Sequence, residues 1–471
     1  MINVAAFRAD LRYNGRERYT PNGQGGRRVN LRARFNRLLT TPEGLALVAL
    51  AWVGLVLALL ALLSGPSQAL GLARHIPITL NDTERVGRII MLYHSLAIPF
   101  LASLVYLILA WVEIPDRIAQ AIKPPITAGF LLTSIGGLTF AYLGRNWLFH
   151  GIYLVGLSLT FYGGVLLAVG LFPRRGSPER PARWAFWVMA VCTLASAAIG
   201  GATGAFFGNG FQAVLAEDII REEHDIFQRA VIAHLHIMLT LIDVAILLLV
   251  ARITPLGKRA SRWVYGLTLI GTIVVSLATW SVIIGPLEKV AHKVINVGAG
   301  FLLPAGVIVA VVGLRALARE GNLLRDPFRF GLYGFLVFVN FVVTAPGVYA
   351  AMNLETYRLP PYLEVERTIA VGHWHVLATL SAAMGFLLIA RLRASRTRIA
   401  RLAAWGMIAG TSAAFAFILP YMFRSPDTAA TWPKPFFEAG IGVAMMSLAA
   451  HLIAEIVAFF RGQTRESMRE G

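Results

Sequence analysis

Residues 225–251 read DIFQRAVIAHLHIMLTLIDVAILLLVA, and the reading of this stretch decides the fold. Rising about 1.5 Å per residue, a helix of this length crosses the roughly 30 Å of hydrocarbon in a bilayer. Lipid offers no hydrogen-bond partners to a bare backbone, and the run lacks the alternation of a barrel strand, so it is read as a transmembrane helix. Arg229, His234, His236 and Asp243 nevertheless lie inside it, and polar side chains at membrane depth are costly unless they are enclosed and paired.

Similar apolar runs recur along the chain at 43–64, 87–112, 126–144, 147–172, 184–207, 263–285, 292–314, 329–352, 367–390, 399–422 and 436–460. With 225–251 they predict an all-α polytopic membrane protein of twelve transmembrane helices. The division is a basic N-terminal tail over 1–42, a membrane domain over 43–460 and a short C-terminal tail over 461–471. Of 471 residues 57% are hydrophobic and 14% charged, and mean hydropathy is +0.65, which excludes an ordinary water-soluble enzyme. The single cysteine, Cys192, excludes disulfide frameworks, Cys-ligated zinc and Cys-ligated iron–sulfur clusters.

The net charge of +18 carries topology. With the N-terminus placed inside and basic residues at the span ends counted with the adjoining loops, 31 of the 43 Lys and Arg fall on the inner side and 11 on the outer, leaving Arg229 within a span. Cationic loops are retained on the cytoplasmic side, so both termini are expected there and the basic charge is not read as a nucleic-acid surface. The polar, Arg-rich tail has no secretory-signal pattern. With Arg27 and Arg28 near the membrane it reads as a retention flank or a contact for anionic lipid. The expected location is the plasma membrane of a bacterium or archaeon.

The histidines cluster in depth. His94 lies about seven residues into the second span, His234 and His236 about ten to twelve into the sixth, and His373 and His375 about seven to nine into the tenth, all counted from the outer face. His292 opens the eighth span at an outer loop. A lone histidine at such depth is most simply an interhelical hydrogen bond, but six at related levels point to metal or haem ligation. Residues i and i+2 on a helix project about 200° apart, so His373 and His375 serve two different centres, and His234 and His236 face apart in the same way. His75, His150, His224 and His451 read as interface or packing residues.

These features resemble subunit I of the haem–copper oxidase superfamily over about residues 43–460. The most specific piece is Glu366-Arg367-Thr368-Ile369-Ala370-Val371-Gly372-His373-Trp374-His375, similar in texture to the cbb-type oxidases and nitric oxide reductases. Ala291-His292-Lys293 resembles the family's Ala-His-His, and Ala233-His234-Leu235-His236 the start of its sixth-helix metal motif. The resemblance implies two haems. His94 and His375 would be the axial ligands of a low-spin haem, and His373 the proximal ligand of a high-spin haem. A second metal, copper or non-haem iron, would be held by His234 and His292, with His236 as a substitute ligand. Glu366 and Arg367 would lie near the propionates. The chain departs from the family at Lys293, where a second adjacent histidine stands, and at Met238, where the oxidases place a tyrosine and the nitric oxide reductases a glutamate.

The implied activity is a respiratory terminal reductase acting on O2 or NO. It would be fed by a separate cytochrome c, a cupredoxin-like subunit or a quinol, since the chain has no c-type haem attachment motif. The acidic outer residues Glu217, Asp218, Glu222 and Glu223 would steer a basic donor or form a solvated loop. Asp243, two turns beyond His236, would relay protons toward the metal site or bond to a neighbouring helix. Two other classes stand beside this reading: a non-catalytic haem-binding electron-transfer subunit with a degraded metal site, and a polytopic transporter.

Overall fold

A computed structural model of the chain describes residues 31–64, 85–144, 146–173, 179–207, 226–357, 359, 362–393, 397–422 and 432–461. Among these residues every regular element is helical, as the sequence predicts. In chain order the helices are α1 (Leu31–Thr40), α2 (Pro42–Ser64), α3 (Arg85–Trp111), α4 (Asp116–Leu143), α5 (Trp147–Leu171), α6 (Arg180–Phe207) and α7 (Ile226–Ile253). They continue with α8 (Lys258–Ser281), α9 (Glu288–Arg319), α10 (Pro327–Phe338), α11 (Ala345–Met352), α12 (Leu354–Tyr357), α13 (Leu363–Leu392), α14 (Arg398–Met422) and α15 (Pro433–Arg461). Among the described residues eleven helical stretches are long and apolar enough to cross a membrane, so the chain is a multi-pass membrane protein. The run expected at 367–390 falls in α13, whose described apolar part is Val376–Leu392. The tails at 1–30 and 462–471 and the acidic outer residues Glu217, Asp218, Glu222 and Glu223 lie outside the described residues.

Local chemistry sets the helix ends. The Asn146 side chain accepts the Leu148 N–H at 2.7 Å and caps α5. Asp326 accepts the Arg329 N–H at 3.1 Å, and Pro327 follows at the first helical position of α10, where a missing N–H costs nothing. The run expected at 329–352 is not one regular helix. A π-helical stretch, Val339–Thr344, separates α10 from α11, and Pro346 explains it, because its ring removes an N–H and crowds the carbonyl one turn back. The eighth span also begins earlier than expected. The turn Gly285–Leu287 carries Pro286 and leads into α9 at Glu288, which places His292 one turn inside the helix.

Consecutive helices pair as hairpins, most extensively α4 with α5, α8 with α9, and α14 with α15. Small residues make this possible, since association in lipid depends on close van der Waals packing. A Cβ on Gly136 would come within 2.5 Å of the Tyr153 nitrogen, and one on Gly156 within 2.3 Å of the Thr133 nitrogen, so α4 and α5 meet backbone to backbone. Gly410 and Gly440 do the same for α14 and α15, as do Gly271 and Gly298 for α8 and α9. At the join of α3 and α4 the Ser134 hydroxyl donates to the Ser95 carbonyl at 2.7 Å, fixing α3 immediately beside His94. Against this frame α3, α7 and α13, which carry positions 94, 234, 236, 373 and 375, all pack on one another, and α9 reaches α7.

Candidate functional site

The site grows from α3 and α7. His94, one position before the Ser95–Ser134 joint, donates its Nδ1 proton to the Ile90 carbonyl at 2.9 Å. A carbonyl only accepts, so this contact fixes the tautomer and leaves the Nε2 lone pair without a proton. His234 on α7 is held alike, Nδ1 to the Ser196 carbonyl of α6 at 3.2 Å. His292 repeats the arrangement on α9, donating to the Glu288 carbonyl at 2.9 Å. Histidines that ligate metals are oriented in this way, with the remote nitrogen committed to a backbone carbonyl and Nε2 presented to the metal.

The ring centres of His94 and His234 lie 6.2 Å apart, with planes inclined by 24°. Tyr153 of α5 meets His94 edge-on at 5.9 Å, and Trp280, at the outer end of α8, lies 6.2 Å from His234. The Trp280 indole donates to Ser196 Oγ at 2.9 Å, so one serine secures both the histidine, through its carbonyl, and the tryptophan, through its hydroxyl. Gly200 closes the far side, because a Cβ there would stand 2.3 Å from His234 Nδ1. His150, read from sequence as packing, lies 6.3 Å from Tyr153 at an angle of 18° and continues the row of rings toward the outer end of α5. His94, His234 and His236 are half-buried within the bundle.

His236, two residues on, starts from the opposite side of α7 by helical pitch, and it lies within electrostatic range of His292. Of the expected ligands the structure therefore brings His94 and His234 together. Glu366, Arg367, His373 and His375 occupy the outer part of α13, but their side chains lie outside the described residues. Among the described residues no group of three or more His, Cys, Asp or Glu has the spacing of a metal cage. Arg229, near the start of α7, places its guanidinium 3.6 Å from where a Cβ on Gly285 would stand.

Asp243 lies nine positions beyond His234 on α7 and contacts Ser381 of α13 at 2.5 Å. Ser381 Oγ is also 2.8 Å from the Leu377 carbonyl. One hydroxyl proton satisfies only one of these acceptors, and both contacts are satisfied together when a protonated Asp243 donates to Ser381 Oγ. The side chain can thus give and retake a proton at a fixed interhelical contact. Sequence reasoning named Asp243 but not Ser381, Tyr153, Trp280, Ser196 or Gly200. Their residue types are common in any apolar span, and only the helix arrangement singles them out.

No protein-family model matches the chain, and no curated protein matches it.

Proposed function

We propose that the chain is a haem-binding redox subunit of a plasma membrane, of the terminal-reductase type, with twelve transmembrane helices and both termini in the cytoplasm. The observation that carries this reading is the set of three intramembrane histidines, His94, His234 and His292, each with Nδ1 committed to a backbone carbonyl and, among the described residues, with no protein hydrogen bond to Nε2. Imidazole in this state suits iron and copper. The resemblance assigns His94, His373 and His375 to the haems and His234, His292 and His236 to the second metal, a reading supported by the Nδ1 anchoring of His94, His234 and His292. With those groups bound, the chemistry supplied is one-electron cycling of iron beside a second metal, at which O2 or NO is reduced.

The chain's own residues perform the supporting tasks. Hydrogen bonds to Ile90, Ser196 and Glu288 orient the imidazoles, Gly200 and Trp280 hold His234 in register, and Asp243 holds a proton against Ser381. Electrons would arrive from a cytochrome c, a cupredoxin-like subunit or a quinol at the outer side. Lys293 and Met238 favour a second reading, in which the chain binds haem and passes electrons without reducing a diatomic.

Reduced-minus-oxidised spectra of the purified chain, followed by carbon monoxide difference spectra, test the proposal. Haem bands with a carbon monoxide shift support the reductase, haem bands without the shift support the electron-transfer subunit, and a colourless preparation overturns both. Amperometric assays of O2 and NO consumption with a reduced donor then identify the substrate.

A further inference from the structure

The geometry points to His94 and His234 sharing one metal, as the two imidazole ligands on its opposite sides, instead of belonging to two separate centres. The inference rests on the redox reading above and changes which rings meet, replacing His375 by His234 as the partner of His94.

Three observations lead to it. The first is distance. With metal–nitrogen bonds of about 2.0 Å, two imidazoles facing each other across one metal put their ring centres about 6 Å apart. The centres of His94 and His234 are separated by 6.2 Å. Ligands of two different centres have no reason to stand this close, because a haem on either nitrogen fills the space in which the other ring lies.

The second observation is protonation. Both Nδ1 protons are committed to carbonyls, of Ile90 and of Ser196, so both Nε2 atoms are lone-pair acceptors. Two acceptors cannot bond to each other, and neither has a protein donor among the described residues. A proton shared between them would settle the contact only by placing an imidazolium in the membrane interior, which is expensive. A metal that accepts both lone pairs settles it without that charge on the ring.

The third observation is support. The pair is buttressed from four helices besides α7, by Ser134 behind α3, the edge of Tyr153 on α5, Ser196 and Gly200 on α6, and Trp280 on α8. Outer-shell partners of this kind orient ligands and raise their basicity. The shared chemistry is a transition metal taking two opposed imidazole nitrogens, and haem iron and a free copper or zinc ion both provide it.

The test compares the full-length protein, purified from membranes, with His94→Ala, His234→Ala, the double variant and His292→Ala. Visible absorption, low-temperature electron paramagnetic resonance, and haem and metal content per chain are measured. Sharing requires that either single variant lose the same band and the same equivalent of metal, that the double variant lose no more, and that His292→Ala retain it. Pyridine haemochrome analysis separates the sources. A positive result identifies haem iron, and a negative result with one metal equivalent per chain identifies a bound ion. Should the alanine variants fail to fold, His94→Gly and His234→Gly supplied with free imidazole replace them, and recovery of the same band in both supports the proposal. Loss of different signals from the two variants overturns the shared centre while leaving the redox reading intact. A wild-type protein without haem or metal overturns both.

Discussion

The half of the bundle that carries His94, His234 and His292, called outer after the orientation expected from the charges, and the opposite, inner half hold their polar groups in opposite ways. In the outer half the imidazoles of His94, His234 and His292 are each tied, among the described residues, by one nitrogen only, and the other nitrogen is left to accept. At the inner ends the charges are matched within the protein. Arg252 pairs with Glu179 at 2.7 Å and donates to the Trp111 carbonyl, and Arg183 donates to the Glu113 carbonyl. Arg393 meets Glu455 at 2.5 Å, with His451 beyond it. His451 itself is 1% exposed and lies edge-on to Phe386 at 4.3 Å, filling a packed site with no room beside it. The same residue type is therefore fully enclosed at one end and half-buried, with one nitrogen tied to a carbonyl, at the other.

This contrast makes its strongest prediction at the inner end. Glu455 is 5% exposed, and Arg393→Ala would leave its carboxylate buried without its cation. Breaking such a pair costs about 3–5 kcal/mol, whereas replacing both partners by apolar residues is often neutral. Thermal unfolding in detergent should show a large loss for Arg393→Ala and recovery in Arg393→Leu/Glu455→Leu. Because the pair is remote from the imidazoles along α13 and α15, the absorption of any bound haem should persist in folded Arg393→Ala. Its disappearance at an unchanged melting temperature would erase the distinction between the halves.

The next effect sharpens the outer half. Gly200 and Gly201 are neighbours on α6, but a Cβ on Gly200 would stand 2.3 Å from His234 Nδ1 while one on Gly201 meets nothing within 4 Å. Gly200→Ala must displace the ring and break its bond to Ser196, at about 1–3 kcal/mol for an overpacked site. Gly201→Ala should be neutral or stabilise the helix by a few tenths of a kcal/mol. Metal content and the absorption band should change only in the first variant. Equal behaviour of the two would mean that His234 is not a positioned ligand.

The sequence made much of this division legible and concealed the rest for a physical reason. Length and hydropathy suffice for helices, because a spanning backbone must satisfy itself. The opposite facing of His234 and His236 follows from helical pitch alone, and the structure turns them to different partners. Pitch does not say which helix each face meets. That is decided by close contacts such as Gly136 on Tyr153 and Ser134 on Ser95, distributed over several spans. The π-helical stretch Val339–Thr344 was equally hidden, since its apolar run is uninterrupted and only Pro346 marks it.

Asp243 lies between the two regimes, deep in α7 but paired with a single hydroxyl. Asp243→Asn keeps a donor for Ser381 Oγ, so stability should change by no more than about 1 kcal/mol. An amide cannot release and recover a proton at physiological pH, so proton uptake accompanying reduction of the purified protein should slow. Stopped-flow measurement with a pH dye reads this directly. Unaltered uptake would assign Asp243 to helix joining alone, together with the inner-end charges.

The smallest expected effect lies where the inner-end pairing reaches water. Arg329 donates to both Glu320 oxygens, at 3.2 and 2.6 Å, and to Asp326 at 2.7 Å, tying the turn between α9 and α10. The hydrogen bond from Arg329 holds the Glu320 carboxyl below the usual glutamate value. A lowered folded-state value means that the contribution is fully present above the unfolded-state value, about 4.3, and is lost as pH falls through the lowered one. The Glu320 side chain is 45% exposed, so Glu320→Gln should cost no more than about 1 kcal/mol at neutral pH, and less in high salt. The difference in melting temperature between wild type and variant should shrink as acid protonates the wild-type carboxylate. A difference that persists unchanged in acid would show that the turn depends on packing instead of charge, and the inner end would then differ from the outer half by less than its ion pairs suggest.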